Sequence, residues 1–391
     1  MSKATRIAKA SAASAVLLGL VLAGANAAQA DPSPAAFRTY AATGSDTIQS
    51  VLNGETNGYG THAAVASSIA SYDAFGSATI QTKSAGISYA RPAGSGDGVK
   101  SLSASWNTGS HVYTDAAGNV ITLSNNDVDI ARSSSQPSTP VTAGATNDNL
   151  TFVPFARDAV SVAFQGSGIT NFTTAQLTHV YNETTSVSDG VVVTGSGATA
   201  TVKVNGVSVI PELPQASSGT RKFFQTAINV PNASLGAYVL GSTSNPSSLH
   251  ENDATAANTA GDLIPFSAGQ WISQKNGVST STFTGTNAAT LKITNINSAT
   301  AVTTSGTVLV PGTLYGSGST VPSVGTGIFN RDTYLVAPTV HITTGGVGFD
   351  STLKTLLTST LPGAGAVSDF GFKPLTYSAT TADWIHSAWT N

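Results

Sequence analysis

The stretch LTFVPFARDAVSVAF, residues 150–164, decides the fold that this sequence predicts. Its valine, phenylalanine and alanine residues are typical of a buried strand, and the stretch is much longer than the usual strand of about five or six residues. Pro154 interrupts it near its start, where the proline ring removes a backbone N–H group. A long strand with such a break can leave one sheet and enter another, so we predict that this stretch crosses between two lobes.

The segments on either side of this strand alternate between strand-like and helical patterns of apolar residues. The pattern repeats every two residues in some segments and at helical spacing in others. These segments are FRTYA, TIQSVLN, THAAVASSIASYDAF, GVKSLSASW, NDVDIARSS, TTAQLTHVYNE, DTYLVAPTVHI and STLKTLLTSTL. The alternation predicts an α/β fold. We also expect a final helix that ends in Trp384 and Trp389.

Two segments differ in composition from the rest of the chain, with many threonine, serine, glycine and valine residues and little charge. They cover about 187–210 and 278–325, and the first contains Asn205-Gly206, a strong hairpin signal. We interpret both as β-rich insertions in the α/β core. The expected organisation is a discontinuous lobe 1, residues 31–156 and 334–391, and a lobe 2, residues 157–333.

The first thirty residues have the pattern of a signal peptide. Lys3, Arg6 and Lys9 precede the apolar run SAVLLGLVLAGA, and a small-residue cleavage motif ends at Ala30. The apolar run is too short to span a bilayer, which takes about 20 residues. We therefore expect an exported chain that starts near Asp31 and is secreted or wall-associated, or periplasmic if the cell has an outer membrane.

The composition narrows the classes of function. Only 9% of the residues are charged and the formal net charge is -3, so we expect no face that binds nucleic acid. The chain has no cysteine, which excludes disulfides, thiolate metal sites and an acylated cysteine anchor. We expect a monomer without a cofactor or a metal ion.

A donor-rich corner lies in ATGSDTIQSVLN, residues 42–53, between a predicted strand and a predicted helix. Ser45, Asp46 and Thr47 are residue types that cap helices, so they could do no more than satisfy the first free N–H groups. The alternative is an anion site, in which the N–H of Ile48 and its neighbours bind a ligand oxygen.

A second corner lies in QASSGTRKFFQTAI, where Ser218, Gly219 and Thr220 precede an apolar helical face. Arg221 stands in the first turn, where the helix dipole disfavours a cation. A guanidinium there suits bidentate binding of an oxyanion. The alternative is a surface arginine paired with a nearby carboxylate.

Two further corners have the same character. RPAGSGDGVKSL places Ser95 and Gly96 at the start of a predicted helix, and the strand in DIARSSSQP ends in Arg132, Ser133 and Ser134. In open α/β sheets, ligands bind at the carboxyl ends of the strands. These four corners could therefore meet on one anion.

In order, the motifs GSDTIQ, AGSGDG, VDIARSS, FVPFARDAVSVAF, FTTAQLTHVYN, SSGTRKFF, LIPFSAGQWIS, RDTYLVAP and GFKPL resemble those of the phosphate-binding components of bacterial ABC transporters. The resemblance covers most of residues 39–376 apart from the two β-rich segments. It implies a type 2 periplasmic-binding-protein fold with two α/β lobes, hinge-crossing strands and a dehydrated phosphate in the cleft. It also implies a transporter permease as a partner.

The resemblance implies roles for particular residues. Thr47 and Ile48, Ser95 and Gly96, and the run Ser218, Gly219 and Thr220 fall where the family binds phosphate. Asp158 falls at a cleft-facing or hinge carboxylate that orients an arginine, and an exposed strand-end acid is the alternative. Arg331 and Asp332 fall at the second crossing, where we expect a structural role.

Two positions depart from the family pattern. Ser134 replaces the aspartate that accepts the proton of phosphate and so excludes sulfate, which leaves the choice between these anions open. Pro214 replaces an arginine, so the charge has to come from Arg221 or Arg132, or is missing.

Three classes of function remain in view. The first is an exported protein that captures phosphate or a similar oxyanion for an ABC-type uptake system. The second is a cell-surface or matrix protein that uses the same fold. A secreted hydrolase is disfavoured, because the sequence has no G-x-S-x-G or H-E-x-x-H motif and six scattered histidines. We therefore expect no catalytic residues.

Overall fold

The computed structural model describes residues 31–32, 37–183, 188–285, 287–318, 320–377 and 379–390. The predicted signal peptide lies outside the described residues. The helices of the described part are α1 Gln49–Asn57, α2 Ser95–Trp106, α3 Thr174–Asn182, α4 Gly219–Ala227, α5 Ala268–Lys275, α6 Asn287–Thr290, α7 Thr339–Ile342, α8 Ser351–Thr355 and α9 Ala366–Asp369. None of the helices described is both long and apolar enough to cross a membrane.

The strands are short, with two exceptions that run through the middle of the molecule. They are β1 Tyr40–Gly44, β2 Ile69–Ser71, β3 Thr79–Ile80, β4 Tyr89–Ala90, β5 Val112–Thr114, β6 Val120–Thr122, β7 Ile130–Ser133, β8 Pro140–Val141, β9 Leu150–Gln165, β10 Asn171–Phe172, β11 Val191–Thr194, β12 Thr201–Val204, β13 Val207–Pro211, β14 Asp262–Ser267, β15 Leu291–Ile293, β16 Asn295–Ile296, β17 Val302–Ser305, β18 Val308–Pro311, β19 Asn330–Pro338, β20 Lys373–Pro374 and β21 Ile385–Ser387. The main sheet has the order β11-β12-β13-β14-β9-β19-β7-β1-β2.

Strand β9 belongs to both lobes. Its 16 residues are all buried. Residues 150–159 pair antiparallel with β19 on the side of lobe 1, and residues 160–164 pair antiparallel with β14 of lobe 2. The pairing with β19 shifts register beside Pro154, which has no N–H group to donate. The two-lobed α/β fold predicted from the sequence is confirmed.

Lobe 1 presents the carboxyl ends of parallel strands at one edge. Strand β1 pairs parallel with β2 and with β7, so Gly44 lies opposite Arg132 where these strands end. Gly44 has a φ of +112°, and a Cβ there would lie 2.6 Å from the carbonyl oxygen of Arg132. This close approach requires glycine.

Lobe 2 is built on β13 and β14, which pair parallel, with α3 and α4 packed in its core. Strands β11, β12 and β13 form consecutive hairpins within the first β-rich segment, and the turn at Asn205 and Gly206 has positive φ at both residues. The second segment holds β15 to β18, of which β15 pairs with β9. Both segments therefore contain β-structure, while the lobe boundaries given above stay a prediction.

The expected final helix is wrong. Residues 381–383 form a single 3-10 turn, and Ile385–Ser387 is strand β21, which pairs antiparallel with the start of β9. The start of β9 offers backbone groups to a neighbouring strand, and satisfying them outweighs the local helical pattern. Trp384 is buried against the core of lobe 1.

Two ion pairs cross between β9 and β19. The strands place Arg157 opposite Asp332 and Asp158 opposite Arg331. Arg157 Nε donates to Asp332 Oδ1 at 2.8 Å, and Arg331 Nη2 donates to Asp158 Oδ2 at 2.9 Å. All four side chains are at most 2% exposed. The middle of the molecule is therefore held by buried charge as well as by backbone pairing.

Candidate functional site

The first and second corners meet between the lobes. Thr47 stands two residues before α1 of lobe 1, and Thr220 stands in the first turn of α4 of lobe 2. Their Oγ1 atoms lie 3.2 Å apart and both residues are fully buried. The starts of two helices from different lobes therefore face each other across one pair of hydroxyl groups.

Arg331 brings a positive charge to this contact. Its Nη2 atom donates to Thr220 Oγ1 at 2.9 Å and lies 3.4 Å from Thr47 Oγ1. The residue is 2% exposed, and its Nη1 atom has no hydrogen-bond partner among the described residues. The sequence predicts only a structural role for Arg331, because neither β9 nor β19 alone reveals what its side chain reaches. The available signal was an arginine next to an aspartate at the start of a crossing strand.

Asp158 holds the guanidinium of Arg331 in place. Its Oδ2 atom accepts from Nη2 and Nε of Arg331, and its Oδ1 atom accepts from Ser267 Oγ at 2.9 Å and from the Gly269 N–H at 3.1 Å. Burial raises the pKa of the Asp158 carboxyl, and the Arg331 charge and these donors oppose that rise. Asp158 thus orients an arginine, as the resemblance implies, and that arginine is Arg331.

The third and fourth corners meet the second one. Ser95 Oγ lies 3.1 Å from Ser134 Oγ and accepts from the Ser134 N–H at 3.0 Å. A Cβ on Gly219 would lie 2.3 Å from Ser134 Oγ and 2.4 Å from Ser95 Oγ, so only glycine fits between them. The hydroxyl of Ser133 donates to the carbonyl of Ser135 instead.

Gly96 also joins the corners, because its N–H donates to the Ser217 carbonyl at 3.3 Å. The sequence thus predicts four corners, and the structure brings residues from all of them together. That these residues bind a ligand stays a prediction.

The first corner does not cap α1. Ile48 is the N-cap residue of that helix and makes no side-chain capping bond. The hydroxyl of Ser45 accepts from the Thr47 N–H at 3.2 Å instead. Ile48 has its side chain in the core of lobe 1. The N-terminus of α1 therefore has no side-chain acceptor of its own.

Arg132 does not supply charge to this cluster. It is fully buried, and all five of its N–H groups have acceptors. These acceptors are Ser45 O at 2.9 Å, Ala42 O at 3.3 Å, Gly44 O at 3.2 Å, Tyr72 O at 2.6 Å and Ser71 Oγ at 2.8 Å. Burial lowers the pKa of Arg132 to about 10. The side chain braces the loop that carries Thr47, which corrects its predicted role as an anion ligand.

Arg221 is also occupied away from the cluster. It donates to Pro214 O at 3.0 Å, Gly241 O at 2.7 Å, Asn232 Oδ1 at 2.8 Å and Gln225 Oε1 at 3.3 Å. Side chains in a first helical turn can lie against the preceding loop, and Arg221 does so here. The prediction that Arg221 faces the anion site is corrected in the same way.

A carboxylate that the sequence did not single out sits on the N-terminus of α4. Oε2 of Glu251 accepts from Ser218 Oγ and from the Thr220 N–H, the latter at 3.1 Å. Glu251 is 2% exposed. It lies in a loop of lobe 2, in the stretch HENDATAAN, which carries no motif. Only the fold brings it to the second corner.

Asp46 of lobe 1 faces Glu251. Burial, and then the neighbouring Glu251 carboxylate, raise the pKa of Asp46 well above its usual value. Asn252 Nδ2 donates to Asp46 Oδ1 at 3.2 Å and to Thr47 Oγ1 at 3.3 Å. Gln270 Nε2 donates to the Thr47 carbonyl at 2.5 Å. The loop that carries Glu251 thus joins lobe 2 to the first corner of lobe 1.

A cavity of about 460 Å³ is lined by residues of the second, third and fourth corners, among them Ser95, Ser133, Ser218 and Gly219. Two further cavities adjoin these contacts. One, of about 220 Å³, is lined by Arg331, Lys222 and Phe223 among others. The other, which we call the acidic cavity, has a volume of about 330 Å³ and is lined by Asp46, Glu251, Asp73 and Asp253 with the amides of Gln49, Asn53, Gln270 and Gln274. The first of these two cavities thus presents Lys222 and Arg331 beside Asp332, and the acidic cavity presents carboxyl and amide groups.

The chemistry available at this site is hydrogen-bond donation to an anion. Hydroxyl groups, helix N-termini and one guanidinium converge, and the described residues contain no group of three or more histidine, aspartate or glutamate side chains placed to hold a metal ion. Neutral donors of this kind can replace the hydration shell of an anion.

No protein-family model matches the chain, and no curated protein matches it. Solved structures with a similar arrangement include a putative phosphate ABC transporter substrate-binding protein with bound phosphate from Clostridium perfringens, with 12% identity, a TM-score of 0.48, and 86% of this chain and 99% of that chain covered. An ABC-type phosphate transport receptor from Vibrio cholerae has 12% identity and a TM-score of 0.44 over 85% of this chain and 99% of its own. A human phosphate binding apolipoprotein has 15% identity and a TM-score of 0.47 over 88% and 93%. Similarity at this level says nothing about the ligand of this chain.

Proposed function

We propose that this chain binds a small tetrahedral oxyanion, such as phosphate, between its two lobes. The observation that carries the proposal is the state of Arg331, a buried cation beside hydroxyl groups from both lobes whose Nη1 atom has no partner in the described part of the chain. An unmade hydrogen bond of a buried charged group costs about 1–3 kcal/mol or more. An oxyanion that accepts from Nη1 would remove this cost.

The proposed ligands of the anion are Arg331 and neutral donors of the four corners. The donors are Thr47 and Ile48 before α1, Ser95 and Ser134 at the third and fourth corners, and Ser218, Gly219 and Thr220 at the start of α4. The N–H of Gly96 is already taken by the Ser217 carbonyl. Donors from both lobes would hold the anion, so binding would couple to movement of the lobes about the crossing strands. Binding of this kind needs no covalent step, and we propose a binding protein rather than an enzyme.

The proposal includes export of the chain and delivery of the anion to an ABC-type permease, as the resemblance implies. Uptake of labelled phosphate by the source cells would test this part. Deletion of the chain should lower that uptake at limiting phosphate, and unchanged uptake would leave the anion site without a transport role.

Titration calorimetry of the chain beginning at Asp31 tests the anion site. The protein should first be unfolded and refolded to remove bound ligand, and then titrated with phosphate and with sulfate. We expect saturable binding of one anion per chain. Thr220→Val, which keeps the side-chain shape and removes a donor, should weaken that binding about 10-fold or more, since a hydrogen bond to a charge contributes about 1.5–3 kcal/mol.

The matched control is Thr358→Val. Thr358 is a buried threonine of lobe 1 whose hydroxyl donates to the Lys354 carbonyl, remote in sequence from every corner. It should leave anion binding unchanged. Absence of binding by the wild-type chain at millimolar phosphate and sulfate would overturn the proposal and favour the surface-protein function.

A further inference from the structure

The carboxylate of Glu251 accepts hydrogen bonds from donors that the proposed anion site needs. The Thr220 N–H and the Ser218 hydroxyl, both at the start of α4, point to Glu251 Oε2. A backbone N–H has one hydrogen, and a bond to Glu251 leaves none for a second acceptor at full strength. Glu251 and an external anion therefore need the same hydrogen-bond donors.

We propose that Glu251 is a built-in competitor of the anion, and that a ligand binds between the lobes only by displacing its carboxylate from the start of α4. This inference rests on the proposed function and adds the step that limits affinity. Three features of the structure support it beyond the shared donors.

The first feature is charge. Glu251 is 2% exposed, so its carboxylate is poorly screened by solvent. An anion placed near Arg331 and Thr220 would lie close to this carboxylate, and two negative charges in a buried site repel each other strongly. Arg331 is the cation that the structure places among these donors, and Asp158 already takes part of its charge. Simultaneous occupation by Glu251 and an anion is therefore unfavourable.

The second feature is a place for the displaced side chain. Glu251 itself lines the acidic cavity of about 330 Å³, in which burial raises the pKa of Asp46 and of Asp73 and the amide side chains of Gln270 and Gln274 offer donors. Rotation about the side-chain bonds of Glu251 can move its carboxylate from Thr220 into this space without unfolding the loop. Release of the helix start needs a change of rotamer rather than a change of fold.

The third feature is the contact between the lobes. Glu251 faces Asp46 of lobe 1, and its neighbour Asn252 donates to Asp46 and to Thr47. The segment that carries the competing carboxylate thus also holds the lobes together. Displacement of Glu251 by an anion would exchange one bridge between the lobes for another.

The test compares Glu251→Gln with the wild-type chain by titration calorimetry with inorganic phosphate. The amide keeps the size of the side chain and removes its charge, so the variant should bind phosphate at least 10-fold more tightly. Glu183→Gln is the matched control, because Glu183 is also a glutamate of lobe 2, its Oε1 atom accepts from the Gly197 N–H at 3.3 Å, and it lies at the C-terminal end of α3 rather than at a corner. It should leave the affinity unchanged.

A second variant covers the case in which the glutamine variant does not fold. Glu251→Asp keeps the charge and shortens the side chain by one methylene group, which withdraws the carboxylate from the Thr220 N–H. We expect it to bind phosphate several-fold more tightly than the wild type. Circular dichroism of each variant establishes whether it is folded.

The outcomes separate this inference from the proposed function. Tighter binding by the Glu251 variants supports both, including the case in which only the variants bind measurably. Wild-type binding with unchanged or weaker binding by folded variants overturns the role of Glu251 and leaves the proposed function in place. No phosphate binding by any variant overturns the proposed function, and with it the competition.

Discussion

The two corners that meet between the lobes have similar sequences but different hydrogen-bond partners. The corner of lobe 1, Gly44 to Thr47, is braced from behind by Arg132, and its helix begins without a side-chain cap. The corner of lobe 2, Ser218 to Arg221, is capped by Ser218 and carries the Glu251 carboxylate, while Arg221 lies against the preceding loop. A donor-rich helix start is therefore not by itself an open site. What its donors already bind decides whether it is available.

The largest effect should separate the two arginines behind these corners. Arg132→Met would remove five buried hydrogen bonds, three to the first corner and two to Ser71 and Tyr72 at the end of β2, and we expect a loss of about 4–6 kcal/mol in the free energy of unfolding. Arg221→Met should cost less, about 2–3 kcal/mol, because Arg221 makes four such hydrogen bonds rather than five and one of its partners, Asn232, is exposed. Urea unfolding of both variants measures the difference. Equal losses would show that the two corners are braced alike.

The next effect concerns the cation shared by both corners. Arg331→Met would strand the buried Asp158 carboxylate and should cost about 3–5 kcal/mol in the free energy of unfolding. The double variant with Asp158→Asn removes the stranded charge, so part of the loss should return. Failure of the second substitution to recover stability would mean that Arg331 is not stabilised mainly by Asp158.

The free energy of unfolding should depend on pH through Asp97, a residue of α2 at the third corner. Asp97, in the first turn of α2, is 6% exposed, and burial raises its pKa to about 6. Because the folded pKa exceeds the unfolded one, the contribution of Asp97 to stability is present below about pH 4 and is lost as pH rises through about 6, by up to about 3 kcal/mol. Asp97→Asn should flatten the stability profile between these values in urea unfolding. An unchanged profile would assign the dependence to other carboxyl groups.

The smallest effect tests the fit between the third corner and the second. Gly219→Ala places a Cβ within 2.4 Å of the hydroxyls of Ser95 and Ser134, which have to move. Overpacking of this kind costs about 1–3 kcal/mol. The double variant with Ser95→Ala makes room beside the new Cβ and should recover part of the loss in the same unfolding measurement. A larger loss in the double variant would indicate that the hydroxyl of Ser95 matters more than the space it fills.

The sequence predicted those features that depend on neighbouring residues. The length of β9 and the proline within it indicated a strand shared by two lobes, and Thr173 with Gln176 forms the capping box that opens α3 at the predicted place. The final helix was wrong because pairing with β9 is a contact between distant segments. Local pattern therefore predicted most of the core of this molecule and missed its end.

The candidate site was predicted in part for the same reason. Donors near helix starts can be recognised from a few adjacent residues, and Thr47, Ser95 and Thr220 do converge. The residues that hydrogen-bond to these donors are distant in sequence, since Arg331 and Glu251 both contact Thr220. Arg132 and Arg221 stand beside donors in the sequence, but carbonyl oxygens of preceding loops take up their N–H groups.

The order of charges in β9 and β19 favours one register of these two strands over its neighbours. Each strand carries an arginine followed by an aspartate, and the antiparallel pairing sets opposite charges against each other. A slip by one residue would set Arg157 against Arg331 or Asp158 against Asp332, with like charges buried and every side chain turned to the wrong face. The observed register is thus favoured over its neighbours by charge as well as by burial. The two Arg-Asp dipeptides therefore specify the alignment of the strands that connect the lobes.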